Sequence, residues 1–306
     1  GRRGRGSGAG AGWARNGGPG GWPPRAGRPA RRRPLFLSPA MADPDSALLR
    51  HDAAFCLGQR GSQSALPALE AVLRRPGEHP MVRHEAAEAA GALGGGGVAL
   101  LKEFASDASR EVAETCRLAL ARTAWLETGD GDGDGGDPAA PAGAHPRFLS
   151  VDPAPPARAD TPLETLTTTL LDDAAPIFDR YRALFSLRDD GGEAAVAALC
   201  SALRAAGPST SALLKHEVAY VLGQLQSPAS LPALRDALAN AGEHGMVRHE
   251  AAEALGALGA AAAAAPLAAA LADSDPVVAQ SAAVALDVLG SEAGGEFEYA
   301  SVVAAA

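Results

Sequence analysis

The stretch that decides the fold runs from residue 48 to residue 94 and reads LLRHDAAFCLGQRGSQSALPALEAVLRRPGEHPMVRHEAAEAAGALG. Residues 213–259 read LLKHEVAYVLGQLQSPASLPALRDALANAGEHGMVRHEAAEALGALG. The two stretches align without a gap at an offset of 165, and 29 of their 47 positions are identical. Similarity of this extent at a fixed offset indicates that the chain contains an internal duplication.

A shorter period lies inside each copy. Apolar residues spaced three and four apart predict helices over 46–59, 66–74 and 81–93, with Gly- and Pro-containing turns between them. Gly58 and Gly223 are predicted to end helices in the left-handed conformation. Two-helix units of 30-odd residues, stacked in series, are typical of an all-α HEAT-repeat solenoid. We expect its two homologous halves to face each other.

The chain divides into four predicted segments. The second copy begins with a helical repeat that has no counterpart before residue 45, where the sequence is rich in Gly, Arg and Pro. Such sequence cannot bury enough apolar surface to offset the entropy of ordering, so we predict that it is disordered or non-native. The segments are a low-complexity region (1–44), a first half without its leading repeat (45–127), a linker (128–162) and a second half (163–300).

Composition limits the classes of function. Residues 1–40 contain nine arginines and no acid, so the rest of the chain carries 18 basic and 36 acidic residues. This acidic body argues against nucleic acid as a partner and favours a cationic one, although ordinary solubility charge has the same signature. No apolar run is long enough to span a membrane. The three cysteines, Cys56, Cys116 and Cys200, are far apart, which fits a reducing compartment.

Four histidines occupy equivalent positions in the two copies, and each is followed by an acid. The dipeptides are His51-Asp52, His84-Glu85, His216-Glu217 and His249-Glu250. A single pair of this kind is usually satisfied locally or solvated. Four of them on helices of adjacent repeats, about 8–10 Å apart, predict a metal site instead. Imidazole and carboxylate suit non-haem iron or manganese, and the absence of cysteine from these motifs argues against structural zinc or an iron–sulfur cluster.

Two further repeated pairs lie close to these dipeptides. Glu88 and Glu253 follow a predicted ligand by four residues and could share its helix face, so we interpret them as supporting or surface residues. His79 and His244 follow a turn glycine, and they are interpreted as helix-start residues, with a role at the mouth of the site as the alternative.

These motifs resemble the deoxyhypusine hydroxylase family. The resemblance covers residues 45–300 in order, through LLRHDAAFCLGQ, PMVRHEAAEAAGALG, EVAETC, LSVDPAPP, IFDRYRALFSLR, LLKHEVAYVLGQLQ and MVRHEAAEALGALG. It implies a cytoplasmic HEAT-repeat monooxygenase with two Fe²⁺ ions per chain. That enzyme would use O2 and an electron donor to hydroxylate the deoxyhypusine side chain of eukaryotic initiation factor 5A, which completes hypusine biosynthesis.

The same resemblance implies a role for each motif residue. One iron would be held by His51, His84 and Glu85. The other would be held by His216, His249 and Glu250. Asp52 and Glu217 would lie beside the metals as catalytic, substrate-binding acids that hold the cationic side chain.

Two departures from the family pattern keep other functions open. Asp52 stands where the family has Glu, which shortens the side chain by about 1.5 Å. The leading repeat of the first half has no recognisable sequence. The alternatives are an inactive relative of the hydroxylase, a metal-free protein-binding scaffold and a chromophore-attaching lyase of the same fold.

Overall fold

The computed structural model describes residues 37–128, 148, 150–207 and 210–294, and the side chains of residues 37, 38, 128 and 291–294 lie outside the description. Within these ranges the chain is helical and contains no strand. The helices are α1 (Leu37–Ala40), α2 (Ala47–Gln59), α3 (Leu66–Leu73), α4 (Pro80–Leu93), α5 (Val98–Phe104), α6 (Arg110–Thr128), α7 (Leu163–Leu171), α8 (Ile177–Asp190), α9 (Glu193–Arg204), α10 (Ala212–Leu225), α11 (Leu231–Ala239), α12 (Gly245–Ala257), α13 (Ala264–Ala270) and α14 (Pro276–Gly294).

Local sequence accounts for where the key helices begin. The hydroxyl oxygens of Ser46 and Ser211 accept hydrogen bonds from backbone N–H groups in the first turns of α2 and α10. Nδ1 of His79 and of His244 does the same for α4 and α12, each at 3.3 Å. Side-chain acceptors at this position satisfy N–H groups that have no partner inside the helix. His79 and His244 are therefore helix-start residues.

The helices form two stacked rows, as an α-solenoid requires. Helices α2, α4 and α6 lie side by side in one half, and α8, α10, α12 and α14 do so in the other. The shorter helices α3, α5, α7, α9, α11 and α13 pack behind them. This arrangement confirms the predicted all-α HEAT-repeat fold. The three helices predicted over 46–59, 66–74 and 81–93 agree with α2, α3 and α4 within one residue.

A repeated arginine contact fixes the register of neighbouring helices. Nε of Arg83, Arg180 and Arg248 donates to the carbonyl oxygen of the residue ten positions earlier, at 3.0, 3.0 and 3.3 Å respectively. Each guanidinium also pairs with an aspartate. Arg83 and Arg248 directly precede predicted ligand histidines, so this contact sets the rotation of α4 and α12.

The two halves meet face to face. Helix α14 packs against α2, and α6 packs against α8 and α10. Ser46 Oγ donates to Gln280 Oε1 at 2.9 Å across one junction, and Ser211 Oγ donates to Glu114 Oε2 at 2.6 Å across the other. These junctions place the inner helices of both halves around a common centre.

Gly58 and Gly223 lie inside α2 and α10, so the prediction that they end helices in the left-handed conformation is wrong. A Cβ at Gly58 would lie 2.8 Å from Ala89 Cα, and one at Gly223 would lie 3.1 Å from Ala254 Cα. The missing side chain lets neighbouring inner helices approach closely. The left-handed residue after α10 is Gln226, at φ 51°.

Much of the predicted linker is outside the description, but residues 148 and 150–162 are described and packed between the halves. Val151 N donates to Gln59 Oε1 at 2.8 Å, and Gln224 Nε2 donates to Ser150 Oγ at 3.1 Å. Asp152 pairs with Arg188 at 2.8 Å. The segment therefore bridges the C-terminal ends of α2 and α10.

The predicted low-complexity region is described only from residue 37 onward, and residues 1–36 lie outside the described part of the chain. Met41, just before α2, is 3% exposed and packs into the core of the first half. Cys116 is fully buried in the same core. None of the described helices combines the length and apolar character that crossing a membrane requires.

Candidate metal centre

The inner helices bring four buried histidines to the centre of the molecule. His51, His84, His216 and His249 lie on α2, α4, α10 and α12 and are 5, 0, 7 and 0% exposed. Their ring centroids lie 5.2–6.3 Å apart in the five pairs that are in contact. Three of these contacts join the halves: His51–His216, His51–His249 and His84–His216. The face-to-face packing thus gathers the four histidines of the duplication into one cluster.

Most of the imidazole nitrogens in this cluster have no hydrogen-bond partner among the described residues. This holds for both nitrogens of His84 and of His216, and for Nε2 of His51 and of His249. A buried polar atom without a partner costs about 1–3 kcal/mol, so native proteins rarely leave such atoms in groups. Six unpartnered nitrogens in one buried cluster indicate a ligand that these residues share.

Two buried carboxylates complete the cluster. Glu85 and Glu250 are 4 and 6% exposed. Glu85 Oε2 lies 3.5 Å from His51 Nε2, and Glu250 Oε2 lies 3.3 Å from His216 Nε2. In each half, the acid of the second dipeptide therefore faces the histidine of the first.

Three groups of residues each contain ligand atoms that lie within 4.8 Å of one another. They are His51, His84 and His216; His216, His249 and Glu250; and His84, Glu85 and Glu88. The second group is the ligand set predicted for one ion. The set predicted for the other ion is divided between the remaining groups, with His216 and Glu88 as additional members. The assignment of individual ligands stays a prediction.

The two predicted substrate acids lie in different environments. The Asp52 side chain is 53% exposed, and its Oδ1 lies 3.1 Å from His51 Nδ1. Glu217 is only 5% exposed. Helix α8 packs against α10 beside Glu217, whereas the described chain before α2 contains only the four-residue α1. The pseudo-symmetric positions therefore differ in solvent access.

Burial dominates the electrostatics of the carboxylates. It raises the pKa of Glu85, Glu217 and Glu250 well above the ordinary range, and neighbouring carboxylates raise these pKa values further. The same desolvation also raises the pKa of Glu88 and Glu253. A low-dielectric site disfavours a cluster of uncompensated negative charges, and a bound cation removes that penalty.

Burial acts on the histidines in the opposite direction. It lowers the pKa of His84 and His249 well below the ordinary value, helped by the neighbouring imidazoles, and it lowers that of His216 to about 4. Burial also lowers the pKa of His51, but Asp52 and other nearby carboxylates raise it more, so the net pKa is raised. Neutral imidazole is the form that binds metal ions.

The donor set fits the binding of first-row divalent metal ions. Imidazole nitrogens and carboxylate oxygens are the ligands that non-haem iron uses, and Cys116 and Cys200, buried elsewhere in the fold, take no part. Cys56 lies at the surface of α2. The cluster therefore satisfies the chemistry expected from the four dipeptides.

Glu88 and Glu253, interpreted from the sequence as supporting or surface residues, lie close to the predicted ligands. Glu253 Oε1 lies 3.4 Å from His249 Nδ1 and accepts from Ser281 Oγ at 3.0 Å. Glu88 lines a cleft together with Thr115, Arg122 and the bridging segment. The sequence does not predict a role for Ser281, because α14 contains no histidine motif.

The chain is similar to known proteins over most of its length. A family model described as HEAT repeats matches residues 34–121 and 196–287. The deoxyhypusine hydroxylase of Bos taurus is 49% identical over 259 residues, which is 84% of this chain and 81% of the relative. That of Homo sapiens has the same identity and coverage. Deoxyhypusine hydroxylase-B of Oryza sativa subsp. japonica is 48% identical over 273 residues, 88% of this chain and 85% of the relative.

A solved structure shares the fold. The structure of human deoxyhypusine hydroxylase in complex with glycerol superposes with a TM-score of 0.75 at 48% sequence identity. The match covers 84% of each chain.

Proposed function

The chain belongs to the deoxyhypusine hydroxylase family of HEAT-repeat enzymes, and from this premise we propose that it binds two Fe²⁺ ions and uses O2 to hydroxylate the deoxyhypusine side chain of eukaryotic initiation factor 5A. An electron donor is required for turnover. A cytoplasmic location agrees with the free cysteines and with this substrate.

The observation that carries the metal proposal is the group of buried imidazole nitrogens that lack partners in the described structure. The proposed ligands are those implied by the family pattern: His51, His84 and Glu85 for one ion, and His216, His249 and Glu250 for the other. When bound, the iron supplies the redox chemistry with O2 that protein side chains lack. The protein contributes the ligand geometry, the exclusion of water and the binding of the substrate.

Water access to the site is limited by burial, because the four histidines, Glu85 and Glu250 are at most 7% exposed. A water-poor site strengthens every electrostatic contact made inside it and suppresses side reactions.

The acids are proposed to position the cationic side chain of the substrate. A carboxylate accepts charge-assisted hydrogen bonds from ammonium groups, which are roughly twice as strong as those between neutral partners. Glu217 would hold an ammonium group deep in the site, and the half-exposed Asp52 would hold one near its mouth. The acidic balance of residues 41–306, which carry 18 basic and 36 acidic residues, would attract such a substrate over a longer range.

The test combines two measurements on the purified chain. Metal analysis should find about two iron ions per chain, and mass spectrometry should show the addition of one oxygen atom to deoxyhypusine-bearing initiation factor 5A. A metal-free scaffold would show neither result. An inactive relative, which the exposed Asp52 would favour, would bind iron without forming product.

A further inference from the structure

A chain of polar contacts runs from α14 to the predicted ligand His249. Ser281 Oγ donates to Glu253 Oε1 at 3.0 Å, and Glu253 Oε1 lies 3.4 Å from His249 Nδ1. Ser281 Oγ itself lies 3.5 Å from the same nitrogen. Both Ser281 and His249 are fully buried. The other ring nitrogen, His249 Nε2, has no partner in the described part of the chain.

The equivalent positions in the first half lack this chain. One extra residue after Gly259 changes the offset between the copies from 165 to 166, so Thr115 corresponds to Ser281. Thr115 Oγ1 donates to the carbonyl oxygen of Glu111 in its own helix, at 2.9 Å. Within the described chain, neither nitrogen of His84 has a hydrogen-bond partner.

The glutamates that correspond to each other have diverged accordingly. Glu253 accepts from Ser281 and faces Nδ1 of His249. Glu88 instead has an oxygen within 4.8 Å of the ligand atoms of His84 and Glu85. Side chains at equivalent points of the duplication thus have different surroundings.

The contacts around His249 have a defined chemical consequence. A carboxylate that accepts the proton of Nδ1–H fixes the tautomer, so the lone pair of Nε2 points away from Glu253. It also holds the ring in one orientation and makes Nε2 a stronger electron donor. Loss of such a partner typically weakens metal binding by about 10–100-fold.

We propose that Ser281 and Glu253 are positioning residues for His249, and that they make the metal position of the second half the tighter of the two. This inference rests on the proposed metal-binding function. It adds that the two ions are held unequally, because the relay, meaning the chain of contacts from Ser281 through Glu253 to His249, is present in the second half and not in the first.

Cobalt titration can test the inference without using turnover. Co²⁺ is added to the metal-free chain, and binding is followed by its visible d–d absorption. We expect the wild-type chain to bind two ions in two steps of different affinity. Ser281→Ala and Glu253→Gln should each weaken the tighter step by about 10–100-fold and leave the weaker step unchanged.

Thr115→Ala is the matched control, because its hydroxyl donates only to its own helix. This variant should show both binding steps of the wild type. His249→Ala should remove the tighter step and so identify it. The double variant Ser281→Ala/Glu253→Gln should bind no more weakly than Glu253→Gln alone, since the two residues act through one chain of contacts.

Three outcomes separate the possible failures. Wild-type affinities in Ser281→Ala and Glu253→Gln, or equal weakening in Thr115→Ala, would overturn the relay while leaving the metal site intact. No Co²⁺ binding by the wild-type chain would instead refute the proposed function. Urea unfolding of each metal-free variant shows that any change in affinity comes from a folded protein.

Discussion

Arg83 and Asp107 form a two-pronged ion pair between α4 and the loop before α6, with Nη1–Oδ1 at 3.0 Å and Nη2–Oδ2 at 2.6 Å. Both side chains are about one-tenth exposed. Arg83 directly precedes His84. The ion pair therefore stabilises the first half and also fixes the position of a predicted ligand.

Asp107→Asn should therefore destabilise the protein in a pH-dependent way. The hydrogen bonds from Arg83 lower the pKa of Asp107. Because its folded-state pKa is lowered, the ionised Asp107 stabilises the protein fully above the unfolded-state pKa of about 3.9. This stabilisation is lost as the pH falls through the folded-state pKa. Removing the charge leaves Arg83 without its partner, at a cost of about 3 kcal/mol at pH 7.

Urea unfolding at pH 7 and at pH 3 measures this effect. The difference between variant and wild type should be smaller at pH 3. Glu103→Gln is the control, because its pair with Arg74 lies at the surface, and it should unfold like the wild type at both values. Equal destabilisation by Asp107→Asn at both pH values would contradict the assigned role of the pair.

His84→Leu should exchange metal binding for stability. His84 is fully buried with neither ring nitrogen paired within the described chain. Replacing it by an apolar side chain removes an unsatisfied polar group, so the metal-free variant should be more stable than the metal-free wild type by about 1 kcal/mol. It should also lose at least one of the two iron ions.

His79→Leu is the comparison for this variant. His79 caps α4 and belongs to none of the candidate metal-binding groups, so its loss should cost about 1 kcal/mol and leave the iron content unchanged. Iron content and urea midpoints of the metal-free forms are the measurements. A less stable His84→Leu chain that keeps both ions would show that the buried imidazole is structural.

Gly58→Ala should separate α2 from α4. The added Cβ would lie 2.8 Å from Ala89 Cα, which is backbone and has little room to move. Overpacking of this kind costs about 1–3 kcal/mol, and it should lower the iron affinity because His51 and His84 lie on the two helices. Gly223→Ala meets Ala254 Cα at 3.1 Å and should have a milder effect.

Gly77→Ala provides the baseline, because a Cβ there would meet no atom within 4 Å. Thermal unfolding and iron titration of the three variants should rank Gly58 as the most sensitive, then Gly223, then Gly77. The close approach of the helices would lose its assigned importance if all three behaved alike.

Glu217→Gln should impair turnover more than Asp52→Asn. Both predictions rest on the proposed substrate contacts. A buried carboxylate that loses its charge opposite an ammonium group costs about 2.7 kcal/mol, or about 100-fold in kcat/KM. The exposed Asp52 should cost less than about tenfold.

Steady-state kinetics on deoxyhypusine-bearing initiation factor 5A, with iron content measured for each variant, separates substrate binding from metal loss. Normal iron content with the larger defect at Asp52 would reverse the proposed assignment of the deep and outer acids.

The sequence predicts the architecture and the central histidines well, because both depend on a repeat that is visible without a structure. The offset of 165 places His216 and His249 opposite His51 and His84, and the helices follow from apolar spacing. Face-to-face packing of homologous halves is then enough to bring the imidazoles together.

The remaining features depend on contacts that the repeat does not encode. The contact of Ser281 with Glu253 is one of these features. The extra residue between α12 and α14 makes Thr115 the counterpart of Ser281, which the offset of 165 does not predict. The segment around Val151 looks like an ordinary Pro- and Ala-rich linker, yet it binds both Gln59 and Gln224. The prediction for Gly58 is wrong because a glycine near a helix end serves equally well as a cap or as a point of close packing.

The joining of the two halves in one polypeptide has a consequence for how the centre could diversify. A homodimer of one half would carry the same residue at both copies of every position, since its two-fold symmetry forbids any difference. In a single chain, each position mutates independently. Equivalent positions, such as Asp52 and Glu217 or Thr115 and Ser281, can therefore carry different residues. A pocket that inherited two-fold symmetry from the duplication thereby becomes asymmetric.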